Sequence, residues 1–92
     1  MAVTVRIPTP LQEFTQQQDA VEIAGADVKE VLANLDGQFA GIGQRLYDEE
    51  GKLRRFVNIY VNQEDIRFLQ GEGTAVSDGD EVSIVPAIAG GR

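Results

Sequence analysis

The part of this 92-residue sequence that could take part in chemistry is its end, Gly90-Gly91-Arg92. Glycines have no Cβ atom, so a double-glycine backbone could enter a narrow channel and present a terminal carboxylate to a partner's active site. The alternative is a frayed terminus, because such small residues bury too little surface to offset the entropy of ordering them. We predict a folded domain of residues 1–86 followed by a flexible tail of residues 87–92.

Two side chains that commonly perform catalysis are absent, since the sequence contains no cysteine and no histidine. This excludes cysteine nucleophiles, Cys/His zinc sites and general-base catalysis by histidine. The acidic run Asp48-Glu49-Glu50 lacks the ligand spacing of a metal site and is interpreted as a solvated loop tip. The glycines at 41–43 and 71–73 complete no phosphate-binding motif. We expect a chain that is not an enzyme and binds no metal or cofactor itself.

The charge balance points away from two kinds of partner. Eight basic and 15 acidic residues give a net charge of −7, which repels the phosphates of nucleic acids and anionic membrane surfaces. No apolar run approaches the ~20 residues of a membrane span, and the N-terminus lacks the apolar segment of a signal peptide. We expect a cytoplasmic protein that binds neither nucleic acid nor membrane.

The strands of the domain that precedes the tail are predicted from alternating apolar and polar residues. The alternation predicts strands around 3–7, 21–23, 56–62 and 82–85, and a short return strand at 66–69. A turn is predicted at 77–80, where glycine accepts positive φ and aspartate bonds the local backbone.

One segment has helical periodicity instead. The apolar side chains of residues 28, 31, 32, 35 and 39 fall on one face of a helix of about 11 residues. Asp27 and Glu30 resemble a capping box, and Gly37 and Gly41 are expected to mark the helix end. The segment 41–55 is predicted to be irregular, apart from one short helical turn near Arg45.

This order of elements predicts an α+β fold of the β-grasp, ubiquitin-like kind. About five strands would form a mixed sheet, with the main helix packed on one face and the last strand parallel to the first.

Several segments of the chain resemble those of one protein family, both in their residues and in their spacing along the sequence. They are Arg6-Ile7-Pro8-Thr9, the strand at 56–62, the pairs Glu64-Asp65 and Arg67-Phe68, the stretch from Asp78-Gly79-Asp80 to Pro86-Ala87, and Gly90-Gly91. Together they resemble the ubiquitin-like sulfur carriers of the MoaD/ThiS family, which include the small subunit of molybdopterin synthase and the thiamine sulfur carrier. The resemblance spans nearly the whole chain and is strongest to the branch that serves cysteine biosynthesis.

The resemblance implies that partners supply all catalytic groups. An E1-like adenylyltransferase/sulfurtransferase would use ATP to adenylate the carboxylate of Gly91, and a sulfur donor would displace AMP to leave a thiocarboxylate. In the cysteine branch the acceptor is an aminoacrylate held by a PLP-dependent cysteine synthase. A zinc metalloprotease would then release the amino acid.

Arg92 departs from the family pattern, because Gly91 bonded to Arg92 has no free carboxylate. Either a protease removes Arg92, or Arg92 is an artificial addition, or the chain carries no sulfur; the metalloprotease is a candidate for the trimming. Alternative functions are the small subunit of molybdopterin synthase, the thiamine-thiazole sulfur carrier, a ubiquitin-like protein modifier, and an interaction module without tail chemistry.

The face of the sheet opposite the helix is predicted to bind the partner. Strand parity places Phe56, Tyr60 and Val85 there, and exposed apolar side chains near one another are typical of a docking patch. The alternative is that these side chains only pack against cross-strand neighbours. Arg67 and Ile88 complete the predicted interface.

Overall fold

A computed structural model of the chain describes residues 2–86. Its strands are β1 (Ala2–Arg6), β2 (Ala20–Ala24), β3 (Val57–Val61), β4 (Glu64–Asp65) and β5 (Glu81–Pro86). They form one sheet in the order β2-β1-β5-β3-β4. The last strand along the chain therefore lies in the middle of the sheet, between β1 and β3.

The pairing of the strands confirms the predicted mixed sheet. β1 pairs antiparallel with β2 and parallel with β5, so that Val5 lies opposite both Val21 and Val82. β3 pairs antiparallel with β5, with Ile59 opposite Ile84. Two parallel strands cannot be joined by a tight hairpin, so β5 is reached from β1 through a long connection. The part of this connection after β2 contains the helix that covers one face of the sheet.

The main helix, α1, spans Val28–Gln38, 11 residues as predicted. The Asp27 carboxylate accepts a hydrogen bond from the Glu30 N–H (2.8 Å), and the Glu30 carboxylate accepts one from the Ala26 N–H (2.7 Å). The reciprocal bond of the capping box thus goes to the residue before the N-cap. The buried helix face consists of Val28, Val31, Leu32 and Leu35.

The end of α1 falls between Gly37 and Gly41, the two glycines predicted to mark it. Gly37 lies in the last turn of α1, which continues to Gln38, and the N–H of Phe39 still donates to the Leu35 carbonyl (2.8 Å). Gly41 has φ +100° and precedes a second short helix, α2 (Ile42–Leu46). Gly41 is therefore the N-cap of α2, whereas the residue that follows α1, Phe39, has φ −126°.

The predicted return strand at 66–69 is wrong. Asn62 and Gln63, with φ of 50° and 75°, form a two-residue turn, so the return strand is the short β4 instead. The Asp65 carboxylate then accepts a hydrogen bond from the Arg67 N–H (2.8 Å) and caps a 3-10 helix, Ile66–Phe68. This turn brings Ile66 into the core, where it is buried.

Short helices complete the layer that covers the sheet. The connection between β1 and β2 contains a 3-10 helix, Thr9–Thr15, with Leu11 and Thr15 buried. The Thr15 hydroxyl donates to the Gln18 carbonyl (2.8 Å). A third 3-10 helix spans Gly71–Gly73. None of the helices between residues 2 and 86 is long and apolar enough to cross a membrane.

Candidate functional site

The turn before β5 is hydrogen-bonded to both neighbours of that strand. On the β1 side, the Asp78 carboxylate accepts a hydrogen bond from the Ala2 N–H (3.0 Å). On the β3 side, the Asn62 amide donates to the Asp80 carboxylate (3.1 Å) and accepts from the Glu81 N–H (3.0 Å). These bonds fix where β5 begins, and therefore the register in which it runs toward the tail.

The same turn is closed internally, which confirms the turn predicted at 77–80. The Asp80 N–H donates to the Ser77 carbonyl (2.9 Å), and the Asp80 carboxylate accepts from the Ser77 N–H (2.7 Å). Gly79 has φ +88°, a conformation that other residues adopt only with strain. The hydrogen bond from Ser77, followed by that from Asn62, lowers the pKa of the Asp80 carboxyl.

The described part of β5 ends at Pro86, which lies opposite Val57 of β3. Gly90 and Gly91, the predicted sulfur-carrying residues, lie outside the described residues, as do Ile88 and Arg92. The structure therefore positions the strand that leads to these residues.

The surface of the sheet opposite α1 is here called the open face. Two of the predicted interface residues, Val85 and Tyr60, lie on it, and a third, Phe56, lies beside it. Val85 is 42% exposed and pairs with Asn58. Tyr60 is half-buried two residues further along β3, on the same face and diagonal to Val85. Phe56, 57% exposed, precedes β3 instead of belonging to it.

Arg67, another predicted interface residue, is held by a buried carboxylate. Its Nη2 donates to Asp65 Oδ2 (2.7 Å) and its Nε lies 3.1 Å from the same oxygen. Asp65 is opposite Tyr60 in the β3–β4 pair, so this ion pair lies at the edge of the open face. The hydrogen bond raises the pKa of Arg67 and lowers that of Asp65. Arg67 is thus a fixed cation next to the open face.

Sequence reasoning missed the exposure of Phe68. It is 84% exposed, and Leu69 beside it is 39% exposed. The predicted strand at 66–69 hid this exposure, because alternation would have buried one side of the segment. A usable signal was the repeated Arg-Phe pair, at 55–56 and at 67–68.

One further ionisable side chain among the described residues, that of Tyr47, has a clearly raised pKa. The Tyr47 hydroxyl donates to the Glu72 carboxylate (2.8 Å), and burial followed by this hydrogen bond raises the pKa of Tyr47. Tyr47 therefore remains protonated and does not act as a base. Within residues 2–86, no cluster of three or more His, Cys, Asp or Glu side chains could hold a metal ion.

Comparison with known proteins decides the family. The model of the ThiS family matches residues 5–91. The chain belongs to the ThiS family. This confirms the resemblance drawn from the strand and turn motifs, and the match includes both glycines of the tail.

Two relatives of this chain are named as different kinds of protein, a sulfur carrier and a modifier. The sulfur carrier protein CysO of Mycobacterium tuberculosis is 50% identical over 93 residues, covering 99% of this chain and 100% of the relative. Small archaeal modifier protein 3 of Haloferax volcanii is 39% identical over 66 residues, covering 72% of this chain and 71% of the relative.

Solved structures confirm the β-grasp fold of this ThiS-family chain. The crystal structure of the Mycobacterium tuberculosis CysO superposes with a TM-score of 0.88 at 49% identity, covering 94% of this chain and 99% of that one. The CysO structure in the Amycolatopsis orientalis BexX/CysO complex gives the same TM-score at 48% identity, with 94% and 96% covered. A CysO-like chain is therefore seen in complex with another protein.

Proposed function

We propose that this protein is a sulfur carrier, not an enzyme, and that its Gly91 carboxylate becomes a thiocarboxylate that donates sulfur for cysteine biosynthesis. The observation that supports this most strongly is the full-length 50% identity to a protein named as the sulfur carrier CysO. The lack of cysteine and histidine agrees with a chain on which partner enzymes act.

The proposed chemistry takes place at the end of the tail. A carboxylate is a poor acyl electrophile, so an E1-like partner first transfers AMP from ATP to the Gly91 carboxylate and releases pyrophosphate. A hydrosulfide equivalent then forms the C–S bond as the C–O bond to AMP breaks. Gly90 provides a backbone without a side chain next to this centre, so that the acyl group can enter the partner's active site.

Sulfur is then passed to an acceptor on a PLP-dependent cysteine synthase. The thiocarboxylate sulfur forms a bond to the acceptor carbon, and a shift of the acyl group from sulfur to nitrogen leaves cysteine joined to Gly91 by an amide. Hydrolysis of that amide by a zinc metalloprotease releases cysteine and restores the Gly91 carboxylate. These steps use ATP and soluble enzymes, and we propose that they take place in the cytoplasm.

Arg92 must be removed before the first step. The Gly91 carbonyl is part of an amide while Arg92 is attached, and only hydrolysis of that bond provides the carboxylate. We assign this hydrolysis to the same kind of metalloprotease, because it would cleave the same position in a carrier–cysteine amide.

The test compares a chain that ends at Gly91 with the chain that ends at Arg92. Each is incubated with an E1-like enzyme, ATP and a sulfide donor, and the intact mass is measured. The shorter chain is expected to gain the mass that replacing one oxygen by sulfur adds, and the longer chain is the matched control. An unchanged mass of the shorter chain with an enzyme active on its own carrier would reject the proposal.

A second candidate is a ubiquitin-like modifier. The identity to small archaeal modifier protein 3 supports it, although that match covers less of the chain. In this case activated Gly91 would form isopeptide bonds with target lysines, and the chain would appear in cells attached to larger proteins. A molybdopterin carrier would instead co-purify with a large catalytic subunit.

The open face would bind the activating partner. Val85, Phe56 and Tyr60 provide apolar surface there, and Arg67 provides a charge at its edge. β5, which carries Val85, also leads to the tail, so docking on this face would deliver Gly91 toward the partner's catalytic centre. Ile88, between β5 and the glycines, is proposed to extend this apolar contact.

A further inference from the structure

A groove beside the open face brings together basic residues from two distant parts of the chain. It lies between the segment leading into β3 and the 3-10 helices that follow β4, with a volume of about 480 Å³. Arg54 and Arg55 line it from one side, and Arg67 lines it from the other. We call this the arginine groove.

The arginine groove differs in charge from the chain as a whole. The chain carries 15 acidic and eight basic residues, whereas the groove is lined by three arginines and only two carboxylates, those of Asp65 and Glu72. A local excess of positive charge in a molecule of net charge −7 favours a negatively charged occupant.

The carboxylates at and near the groove cancel part of its positive charge. Asp65 and Arg67 neutralise each other in their ion pair, and Glu72, which accepts a hydrogen bond from the Tyr47 hydroxyl, keeps its negative charge. Arg54 donates from Nε and Nη2 to the Gln44 carbonyl (3.2 and 3.1 Å), which orients the guanidinium without neutralising it. Within residues 2–86, Arg55 is exposed and makes no ion pair.

Two exposed aromatic side chains adjoin the groove along the chain. Phe56 follows Arg55, and Phe68 follows Arg67; they are 57% and 84% exposed. Arginine and aromatic residues are enriched among the residues that contribute most to binding at protein interfaces. The occupant that fits is a protein segment with carboxylates and neighbouring apolar side chains, because its apolar side chains would cover the two phenyl rings, whereas a polyphosphate chain has no apolar surface to place against them.

We propose that the arginine groove binds a carboxylate-bearing segment of the E1-like activating partner, with Phe56 and Phe68 in the same interface. The inference rests on the proposed function, because that function requires such a partner. The groove contributes to docking and orientation, and it takes no part in the acyl chemistry at Gly91.

The main experiment measures binding of the chain ending at Gly91 to an E1-like enzyme at low and at near-physiological salt. Arg55→Glu is expected to weaken binding by about tenfold or more, mostly through slower association, and to reduce the salt dependence. Lys29→Glu, an equal charge change at an exposed position on α1, is the matched control and should bind like the parent. Arg55→Gln should lie between Arg55→Glu and the parent.

A sulfur-transfer assay separates the two proposals. At enzyme concentrations that saturate binding, Arg55→Glu should form as much thiocarboxylate as the parent. If the parent neither binds nor accepts sulfur, the proposed function fails and this inference fails with it. If the parent does both and Arg55→Glu binds equally well, or Lys29→Glu is weakened as much, the groove has no such role.

The competing occupant is tested with RNA as the probe. Titration of the protein with poly(U) at near-physiological salt is expected to leave the backbone amide signals of residues 54, 55 and 67 unchanged in NMR spectra. Shifts confined to the groove at low RNA concentration would overturn the proposal in favour of a nucleic-acid site.

Discussion

The two faces of the sheet are built from the same strands but differ in almost every property. On the covered face, Val5, Ile59 and Val82 are 0–1% exposed and pack under α1. On the open face, Val85 is 42% exposed and the polar residues form cross-strand pairs, among them Arg6 with Glu81 (2.9 Å). Stability should therefore depend on the covered face, while the open face and its edge are free to serve partner binding.

The largest expected effect of a substitution is on the covered face. Leu32 of α1 is completely buried, so Leu32→Ala removes its packing and leaves a cavity. The free energy of unfolding should fall by about 2–5 kcal/mol in urea titrations. Val85→Ala on the open face is the control, with a loss of about 0.5 kcal/mol or less. Equal losses for the two variants would remove the distinction between the faces.

The next effect concerns the space beneath the start of α1. A Cβ at Gly25 would lie 2.5 Å from Val31 Cγ2 and 2.9 Å from the Val31 backbone nitrogen. Gly25→Ala is therefore expected to lower the free energy of unfolding by about 1–3 kcal/mol. Gly73→Ala is the matched control, because a Cβ there meets nothing within 4 Å. A Gly25→Ala variant as stable as the parent would show that α1 can shift without loss.

The cap of α1 should contribute less than its packed face. Asp27→Ala removes the acceptor for the Glu30 N–H and should cost about 1 kcal/mol of unfolding free energy. Asp27→Asn retains a side-chain oxygen at the same position and should cost only a few tenths. Thermal unfolding of both variants is the measurement, and identical midpoints for Asp27→Ala and the parent would contradict this role.

On the open face, the effect on binding should exceed the effect on folding. Tyr60→Ala is expected to weaken binding to the activating enzyme by about tenfold, because aromatic side chains often dominate interfaces, with nearly unchanged stability. Tyr60→Phe keeps the ring and should bind nearly as well as the parent. Unchanged affinity of Tyr60→Ala, measured by calorimetry, would exclude Tyr60 from the interface.

The smallest expected effect is the pH dependence of stability that Asp65 contributes at the edge of the open face. The pKa of Asp65 is lowered in the folded state, mainly by its hydrogen bond with Arg67. Its contribution is therefore complete above the unfolded-state pKa of about 3.9 and is lost as the pH falls through the lower folded-state pKa. Asp65→Asn should flatten this acid loss in unfolding titrations between about pH 5 and pH 2. A slope equal to that of the parent would contradict the assignment.

Local patterns predicted most of this architecture correctly. Alternation identified β1, β2, β3 and β5, because one buried face imposes a period of two on each strand. Helical spacing and Asp27 predicted the start and length of α1. The family motifs in the strand at 56–62 and in the turn at 77–80 led to the ThiS assignment that the comparisons confirm.

The predictions failed where a tight turn and a side-chain cap, which alternation does not show, set the path of the chain. Ile66 is buried through a 3-10 turn, which no alternation in the segment 66–69 encodes, because the capping carboxylate of Asp65 and the two-residue turn before it redirect the chain. Gly37, predicted with Gly41 to mark the end of α1, lies in its last turn, one residue before that end. The outcome at each position depends on which neighbour is available to take the backbone hydrogen bonds.

The sequence by itself determined which side chains are buried in each strand, and it determined the type of tail, because both depend on residue type and short-range spacing. Only the tertiary structure decided that β5 lies between β1 and β3 and that Arg54 and Arg55 face Arg67 across one groove. The physical reason is that the β3–β4 turn joins positions 12 residues apart at the groove, and the pairing of β1 with β5 joins positions 77 residues apart, such as Thr4 and Glu81. The pattern of residue types along the chain does not specify the distance in space between such positions.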